Sequence, residues 1–324
     1  MQIVALVPGG IGEQILFFPA LDSLKKAYPS VDIDVVVEPR AKSAYRICQS
    51  VNQVILFDFN DRNSPADWAN LLGVMRDRYY NIALSSQNRW SIGLLLWLAG
   101  TPVRIGYSSD SNGNSGSLFL TDTVPYKSEQ YAAHAYHDLL TAIGIETPCP
   151  KVSINVPKSD VDWADEERKR LELDGSGYVL LYGSADPQIT SGSGETPYPV
   201  SSWQAVIQDF QNRQPDLPIV LVRNEGVDSF AAELKQACPA VKFTQPGEIG
   251  KLAAMVAGAN LLLCTNSIAM HLAVALDVYT LALFGESDPN KLLPKSDKFQ
   301  AIPSSTGQLA DIEPQTVLER VWGG

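Results

Sequence analysis

Three short stretches of the chain carry residues whose types and spacing could do chemistry. The first is Gly9-Gly10-Ile11-Gly12-Glu13, directly after the apolar run Gln2–Val7. Glycine permits a tight turn and close backbone approach, and the start of a following helix offers free N–H groups, so Gly9, Gly10 and Gly12 are candidates for an anion loop. Glu13 would stand at the helix start, either as general base for a substrate hydroxyl or as a carboxylate complementing the helix dipole. The second stretch is Thr265-Asn266-Ser267 with His271 beyond it, one of only three histidines in 324 residues. Hydroxyls, an amide and helix-start N–H groups make a neutral platform for phosphate. His271, about a turn into the helix, would either donate to a ligand or sit in the core. The third is Gly285-Glu286-Ser287-Asp288-Pro289, the turn-rich tail of an apolar run. It would set Gly285 and Glu286 beside the second stretch, unless it is an ordinary turn ended by proline.

The glycines near the N-terminus do not form G-x-G-x-x-G, and no Gly-Lys-Ser/Thr follows them, which argues against a dinucleotide fingerprint and a P-loop. Cys48, Cys149, Cys238 and Cys264 are scattered, with no CxxC pair. Neither a metal site nor a disulfide framework is expected, and no permanently bound cofactor.

The elements that must position these residues follow a βαβα rhythm. Apolar runs at residues 2–7, 32–38, 53–58, 81–86 and 103–108 read as strands, with helix-like stretches between several of them. A helix-like stretch over residues 129–143 ends at Gly144, a good C-cap. The rhythm restarts with strands at 178–183, 218–223, 240–244, 260–265 and 279–285, and a last short helix at 314–322. This implies parallel sheets covered by helices on both faces, with ligands outside the carboxyl ends of the strands. The proline-rich stretch 146–160 reads as a linker, giving an N-terminal domain over 1–150 and a C-terminal domain over 151–324. The last helix is allowed to pack back on the first domain. Two Gly/Ser-rich loops, 108–117 and 183–199, should follow strand ends on the ligand side.

The net charge of −11 opposes a general nucleic-acid binder, so no nucleic-acid partner is expected. Arg40, Lys42 and Arg46 form a local basic patch in the less acidic first half, suited to a phosphorylated acceptor or simply a solvated face. No stretch reaches the ~18–20 apolar residues of a membrane span. The most apolar, residues 92–100, is too short. The opening residues carry no signal-peptide pattern. A cytoplasmic protein is expected, working at most as a peripheral protein on the inner membrane face.

From Thr265-Asn266-Ser267-Ile268-Ala269-Met270-His271-Leu272-Ala273 to Leu281-Ala282-Leu283-Phe284-Gly285-Glu286-Ser287-Asp288-Pro289, the chain resembles the C-terminal signature of the family 9 glycosyltransferases, the bacterial lipopolysaccharide heptosyltransferases. Gly9-Gly10-Ile11-Gly12-Glu13 with Pro19-Ala20-Leu21, Arg104-Ile105-Gly106-Tyr107, and Tyr198-Pro199 with Trp203 resemble further elements of that family in the same order. The resemblance implies a GT-B fold, two Rossmann-like doubly wound domains facing an interdomain cleft. It implies a nucleotide-diphosphate sugar donor, ADP-heptose in the type members, on the C-terminal domain. A lipid-linked or polysaccharide acceptor would lie on the N-terminal one. Transfer would be inverting, with Glu13 as base and Thr196, Asn266, Ser267, His271, Gly285 and Glu286 at the donor.

The chain departs from the family pattern at the chemistry. Glu13 stands for aspartate, Thr196 for a phosphate-binding lysine, Asn266 for aspartate, and Ile268-Ala269 for Gly-Pro. These departures keep two alternatives beside the transferase. One is a catalytically weakened homologue acting as a ligand- or protein-binding module. The other is a nucleotide-sugar epimerase on the same double frame.

Overall fold

The computed structural model describes residues 1–59, 63–108, 115–173, 175, 177–183, 197–223 and 228–323. The chain divides into two compact units, Met1–Ser153 and Ile154–Gly324, each with one six-stranded sheet. All the strand pairings within the two sheets are parallel.

The first unit runs β1 (Gln2–Val7), α1 (Ile11–Ala27), β2 (Asp32–Val37), β3 (Gln53–Leu56), α2 (Pro65–Asp77), β4 (Ile82–Ser85), α3 (Trp90–Leu98), β5 (Val103–Tyr107), β6 (Asp122–Val124) and α4 (Ala132–Asp138). Its sheet order is β3-β2-β1-β4-β5-β6. Ile3, Val4, Ala5, Leu6 and Val7 are all fully buried, because a central parallel strand is covered on both faces. Val4 and Leu6 pack with Leu71 and Met75 of α2 and Leu95 of α3. Side chains of this size each contribute about 1.5–3 kcal/mol on burial. The start of α2 is set by a reciprocal pair: the Ser64 N–H donates to Asp67 Oδ2 at 2.9 Å, and the Asp67 N–H donates to Ser64 Oγ at 3.3 Å. Gly144, at φ 79°, closes the 3-10 turn Leu139–Ile143 in the C-cap role expected for it.

The second unit runs α5 (Lys158–Arg170), β7 (Val179–Tyr182), α6 (Val200–Arg213), β8 (Ile219–Val222), α7 (Asp228–Ala237), β9 (Lys242–Thr244), α8 (Ile249–Ala257), β10 (Leu261–Thr265), α9 (Ile268–Ala275), β11 (Thr280–Phe284), α10 (Pro289–Leu292), β12 (Phe299–Pro303) and α11 (Pro314–Trp322). Its sheet order is β12-β11-β10-β7-β8-β9. In both sheets the winding reverses at the centre, between β1 and β4 in one and between β7 and β10 in the other. Crevices at such reversals, beyond the carboxyl ends of the strands, are where sheets of this type hold ligands.

The proline-rich stretch gives way to a helix sooner than the sequence suggests. α5 starts at Lys158, inside the stretch taken for a linker. Its pattern is charged almost throughout, and it is fixed instead by close approach. Gly250 lies so near that a Cβ there would stand 1.9 Å from Asp160 Oδ2. The last helix, allowed a place on the first domain, packs within its own unit. The Trp322 ring meets Phe210 of α6 at 4.8 Å, and Trp322 Nε1 donates to Asp209 Oδ2 at 2.8 Å. Val317 and Leu318 supply its buried face. The edge strands β6 and β12 have no strong sequence signal, since edge strands are short and partly exposed.

The start of the central pair β7–β10 is pinned by one side chain. Asn260 donates its backbone N–H to Tyr178 O at 2.9 Å, and Asn260 Oδ1 accepts the Tyr178 N–H at 2.9 Å. Gly177, at φ 73°, makes room for it, since a Cβ there would lie 1.6 Å from Asn260 Oδ1. Gly177→Ala should therefore break this exchange as well as strain the backbone. The expected loss is of order 1–3 kcal/mol or more. A urea melt checks it, and an unchanged midpoint would show that the pairing does not need the exchange.

Candidate functional site

At the carboxyl end of β1 the chain turns through Pro8 and Gly9 into α1. Gly9 has φ 122°, a region open to glycine, and a Cβ there would strike Glu13 Cγ at 2.9 Å. The loop's N–H groups are already engaged. The Gly9 N–H donates to Glu38 Oε1 at 3.1 Å, and the Gly10 N–H donates to Glu13 Oε2 at 2.9 Å. This corrects the expectation of a free anion loop at Gly9 and Gly10, because an incoming anion would meet two carboxylates. Gly12 lies in the first turn of α1.

Glu13 is exposed at the third position of α1, where it caps the helix start. It thus fulfils the dipole-complementing role weighed for it, with the carboxylate still open to solvent. Around it, a buried frame fixes the turn. Gln14, fully buried, donates Nε2–H to Val7 O at 2.9 Å and accepts the Tyr45 hydroxyl at 2.7 Å. Glu38, at 3 % exposure, accepts Arg40 Nε–H at 2.8 Å. Tyr136 of α4 stands near Glu13; burial, then the Glu13 and Tyr126 charges, push its phenol pKa up. Across the reversal, at the end of β4, Ser85 Oγ donates to Gln87 O at 2.6 Å. Ser86 Oγ is buried with no partner among the described residues. Glu38, Gln14, Tyr136 and Ser86 carry no signal in the sequence, since their roles depend on long-range neighbours.

The basic patch lies on the 3-10 helix Pro39–Ile47, which buries Ala41, Ala44 and Ile47 at a three-residue spacing. Arg40, Lys42 and Arg46 line an open cavity of about 540 Å³ with Tyr45 and Val54.

In the second unit, β10 ends at Thr265 and α9 begins at Ile268, with Ser267 as its N-cap. The Asn266 N–H donates to Leu283 O at 3.0 Å, tying the turn to β11, and Asn266 Nδ2–H donates to Ser287 Oγ at 3.2 Å. So the second and third stretches do meet. Three buried polar atoms of this turn have no partner among the described residues: Asn266 Oδ1, Ser267 Oγ and His271 Nδ1. Ser267 caps with no side-chain hydrogen bond, so its hydroxyl is not used by its own helix. His271 lies one turn along from Ser267 and is almost fully buried, and burial pushes its pKa down from 6.5 to about 4. It is neutral at pH 7.

Gly285 is buried behind this turn, and Glu286 is exposed beside it. Asp288 Oδ1 accepts the Asn290 N–H at 2.9 Å, so the end of the third stretch is a helix cap. Tyr198 and Trp203 pack edge to face with centroids 5.0 Å apart in the core of this unit. The absence of a side chain at Gly183 makes room for Trp203, whose Nε1 would lie 2.7 Å from a Cβ there. Thr196 lies outside the described residues, as does most of the 183–199 loop.

Residues 68–321 match glycosyltransferase family 9 (heptosyltransferase). A curated relative, "Photosynthetic NDH subunit of subcomplex B 1, chloroplastic" of Arabidopsis thaliana, is 23% identical over 96% of this chain and 71% of its own length. Among solved structures, the glycosyl transferase family 9 protein from Veillonella parvula DSM 2008 matches with a TM-score of 0.84 at 18% identity, over 99% of this chain and 96% of that one. The E. coli heptosyltransferase WaaC with ADP-2-deoxy-2-fluoro heptose matches with a TM-score of 0.76 at 17% identity, over 100% of this chain and 99% of that one. The fold is thus GT-B-like, with two parallel six-stranded α/β sheets.

The environment of His271 predicts a pH effect. Its folded pKa of about 4 lies below the ordinary 6.5, so between those values the unfolded chain binds the proton more readily. Stability is fully present above pH ~6.5 and is lost as pH falls towards ~4, by up to roughly 3 kcal/mol. His271→Met cannot titrate and should flatten that limb of the stability curve. Denaturant melts across this range decide it, and parallel curves for the two proteins would place the acid sensitivity elsewhere.

Proposed function

The chain belongs to glycosyltransferase family 9 (heptosyltransferase), and from that premise we propose that it binds a nucleoside-diphosphate sugar at the start of α9 and transfers the sugar to a glycan acceptor. The observation that carries this reading is the group of partnerless polar atoms at Asn266, Ser267 and His271. Buried polar atoms without partners are costly, about 1–3 kcal/mol each, and a ligand that satisfies them recovers that cost. The groups suit a diphosphate bearing a sugar. The Ser267 hydroxyl and the first N–H groups of α9 donate, as phosphate oxygens require. Asn266 Oδ1 accepts, as a sugar hydroxyl requires. The N-terminal end of the helix dipole supplies partial positive charge, worth about 0.3–1 kcal/mol when exposed and up to ~2 when partly buried.

In the transfer itself, an acceptor hydroxyl attacks the anomeric carbon and gives its proton to Glu13. The bond to the leaving diphosphate breaks, and its electron pair stays on the phosphate oxygen. Configuration at the anomeric carbon inverts. Gly10 holds Glu13 Oε2, which orients the carboxylate before substrate arrives. Tyr136 beside it would orient the acceptor hydroxyl. The cavity at Arg40, Lys42 and Arg46 suits a phosphorylated acceptor. ADP-heptose is the donor proposed, by analogy with the ADP-heptose analogue in the E. coli structure, and a lipopolysaccharide or other glycan is the acceptor class.

A second reading is a binding module that has lost turnover. It is favoured by Glu13 already serving as a helix cap, and by the likeness to a chloroplast NDH subunit. Calorimetry with ADP and UDP, and a turnover assay with ADP-heptose, separate the two. Ser267→Ala and Asn266→Ala should each weaken nucleotide binding by roughly 3–10-fold, one hydrogen bond's worth. Glu13→Gln should lower turnover by roughly 100-fold and leave nucleotide affinity alone. Glutamine completes a capping box as glutamate does, so this change isolates the proton acceptor from the cap. Nucleotide binding without turnover in the unaltered protein would support the binding module. No nucleotide binding would sink both forms of the site.

A further inference from the structure

One row of the second sheet changes character at its edge. Leu263 of β10 pairs in register with Leu281 of β11, and Leu281 with Gln300 of β12. Residues in register on parallel strands face the same side of the sheet. On that side Leu263 and Leu281 lie in the apolar cluster that takes in Val317 and Leu318 of α11. A glutamine thus stands where both neighbouring strands carry leucine. Its amide is half satisfied. Nε2–H donates to Asp297 O at 3.3 Å, while Oε1 is buried with no partner among the described residues. A buried acceptor without a donor is costly, and folded proteins meet nearly all of them with protein, water or ligand.

Gln300 lines a cavity of about 100 Å³ at the amino end of these strands, together with Tyr279, Asp297, Lys298, Arg320 and Val321. One water needs ~10–15 Å³ of such space, so there is room for a ligand of several heavy atoms. The charged groups around it are not equivalent. Lys298 Nζ is held by Asp277 Oδ2 and stands 5.4 Å from the centroid of the Tyr279 ring. Arg320, exposed on α11, has no ion pair or side-chain hydrogen bond among the described residues. The Asp297 carboxylate is exposed and forms no ion pair among them either. The cavity therefore offers one buried acceptor, one carboxylate and one guanidinium, each with hydrogen-bonding capacity to spare.

We propose that this cavity binds a small α-amino acid, its ammonium on Gln300 Oε1 and the Asp297 carboxylate, its carboxylate on Arg320. An ammonium has several N–H donors and can meet both oxygens at once. A guanidinium takes a carboxylate through parallel hydrogen bonds, the stronger charge-assisted kind. A plain anion would leave Gln300 Oε1 unmet and face Asp297. A plain cation would leave Arg320 unmet and face Lys298. A ligand with both charges a few ångströms apart satisfies every group. The volume keeps its side chain to the size of those in glycine, alanine and serine, against Val321 and the Tyr279 ring. β10 begins at this cavity and ends at the Asn266 turn, so the two sites lie at opposite ends of one strand. The inference does not rest on the sugar-transfer reading.

The test is calorimetry and thermal melting of the full chain with glycine, L-alanine and L-serine, set against acetate and methylammonium, which each carry one of the two charges. Saturable binding of an amino acid is expected at roughly millimolar strength, as suits so small a ligand, and about ten-fold or more weaker for the single charges. Gln300→Leu completes the leucine row. It should weaken binding by roughly ten-fold or more, yet raise the melting temperature of the ligand-free protein by roughly 2–4 °C, because the partnerless acceptor is gone. Arg320→Ala should weaken binding as much and leave the ligand-free melt unchanged. The proposal is overturned if none of the three amino acids binds saturably, which would leave the cavity to water. It is overturned too if acetate or methylammonium binds as tightly as they do, or if Gln300→Leu binds undiminished. A lower melting temperature for Gln300→Leu would show that the fold itself satisfies the amide, and would also sink it.

Discussion

Parallel pairing at the centre of each sheet, β1 with β4 and β7 with β10, is the constraint on which the rest depends. Parallel strands put all their carboxyl ends on one edge, and helices that follow them begin there. The chain leaves the two central strands in opposite directions, so no crossover covers the gap between them. Backbone and side-chain polar groups at that gap must find partners in loops or in a ligand. The second unit leaves three such atoms without one at the Asn266 turn. The first unit satisfies the equivalent N–H groups internally, through Glu38 and Glu13. Two sheets of the same architecture thus differ at that gap: carboxylates beside the partnerless Ser86 Oγ in one, three partnerless neutral groups in the other.

That difference bears on the chemistry available. A carboxylate-lined turn repels phosphate and accepts protons, which suits the hydroxyl side of a transfer. A neutral turn at a helix start tolerates a diphosphate with no cation of its own. Burial keeps His271 from charging at neutral pH, so it adds hydrogen-bonding capacity and no positive charge to this turn. On the proposed reading, the helix dipole and the Ser267 hydroxyl are then the main groups that the described residues would bring to a phosphate. This is a weaker hold than a lysine would give, by the general advantage of charge-assisted hydrogen bonds over neutral ones.

The alternation of apolar runs and the signature around His271 were enough to read two parallel sheets and the family from the sequence. Central strands such as Ile3–Val7 are buried on both sides, so their composition alone reveals them. α5 was hidden because its place is fixed by long-range contacts, Asp160 against Gly250, Glu167 with Thr244 and Arg170 with Phe243 O, which no periodicity records. The turn at Gly9 misled for a related reason. Three glycines before a helix look like a vacant anion loop, and only the fold brings Glu38, from the end of the next strand, onto the Gly9 N–H. Gln14 and Tyr136 were illegible in the same way, being ordinary helix residues until α1, the Pro39–Ile47 turn and α4 are packed together.

Glu13 shows why capping and proton transfer need not exclude one another. The Gly10 N–H engages Oε2, and a carboxylate has room for further hydrogen bonds on both oxygens. The Glu13 side chain folds back over Gly9, where a Cβ would stand 2.9 Å from its Cγ. A longer arm in a free turn would wander and lose the alignment that a reacting pair requires, since a displacement of ~1 Å can cost ~100-fold in rate. The cap removes that freedom. Glycine at position 9 and glutamate at position 13 are therefore a matched pair: the missing side chain of one creates the path along which the other is held.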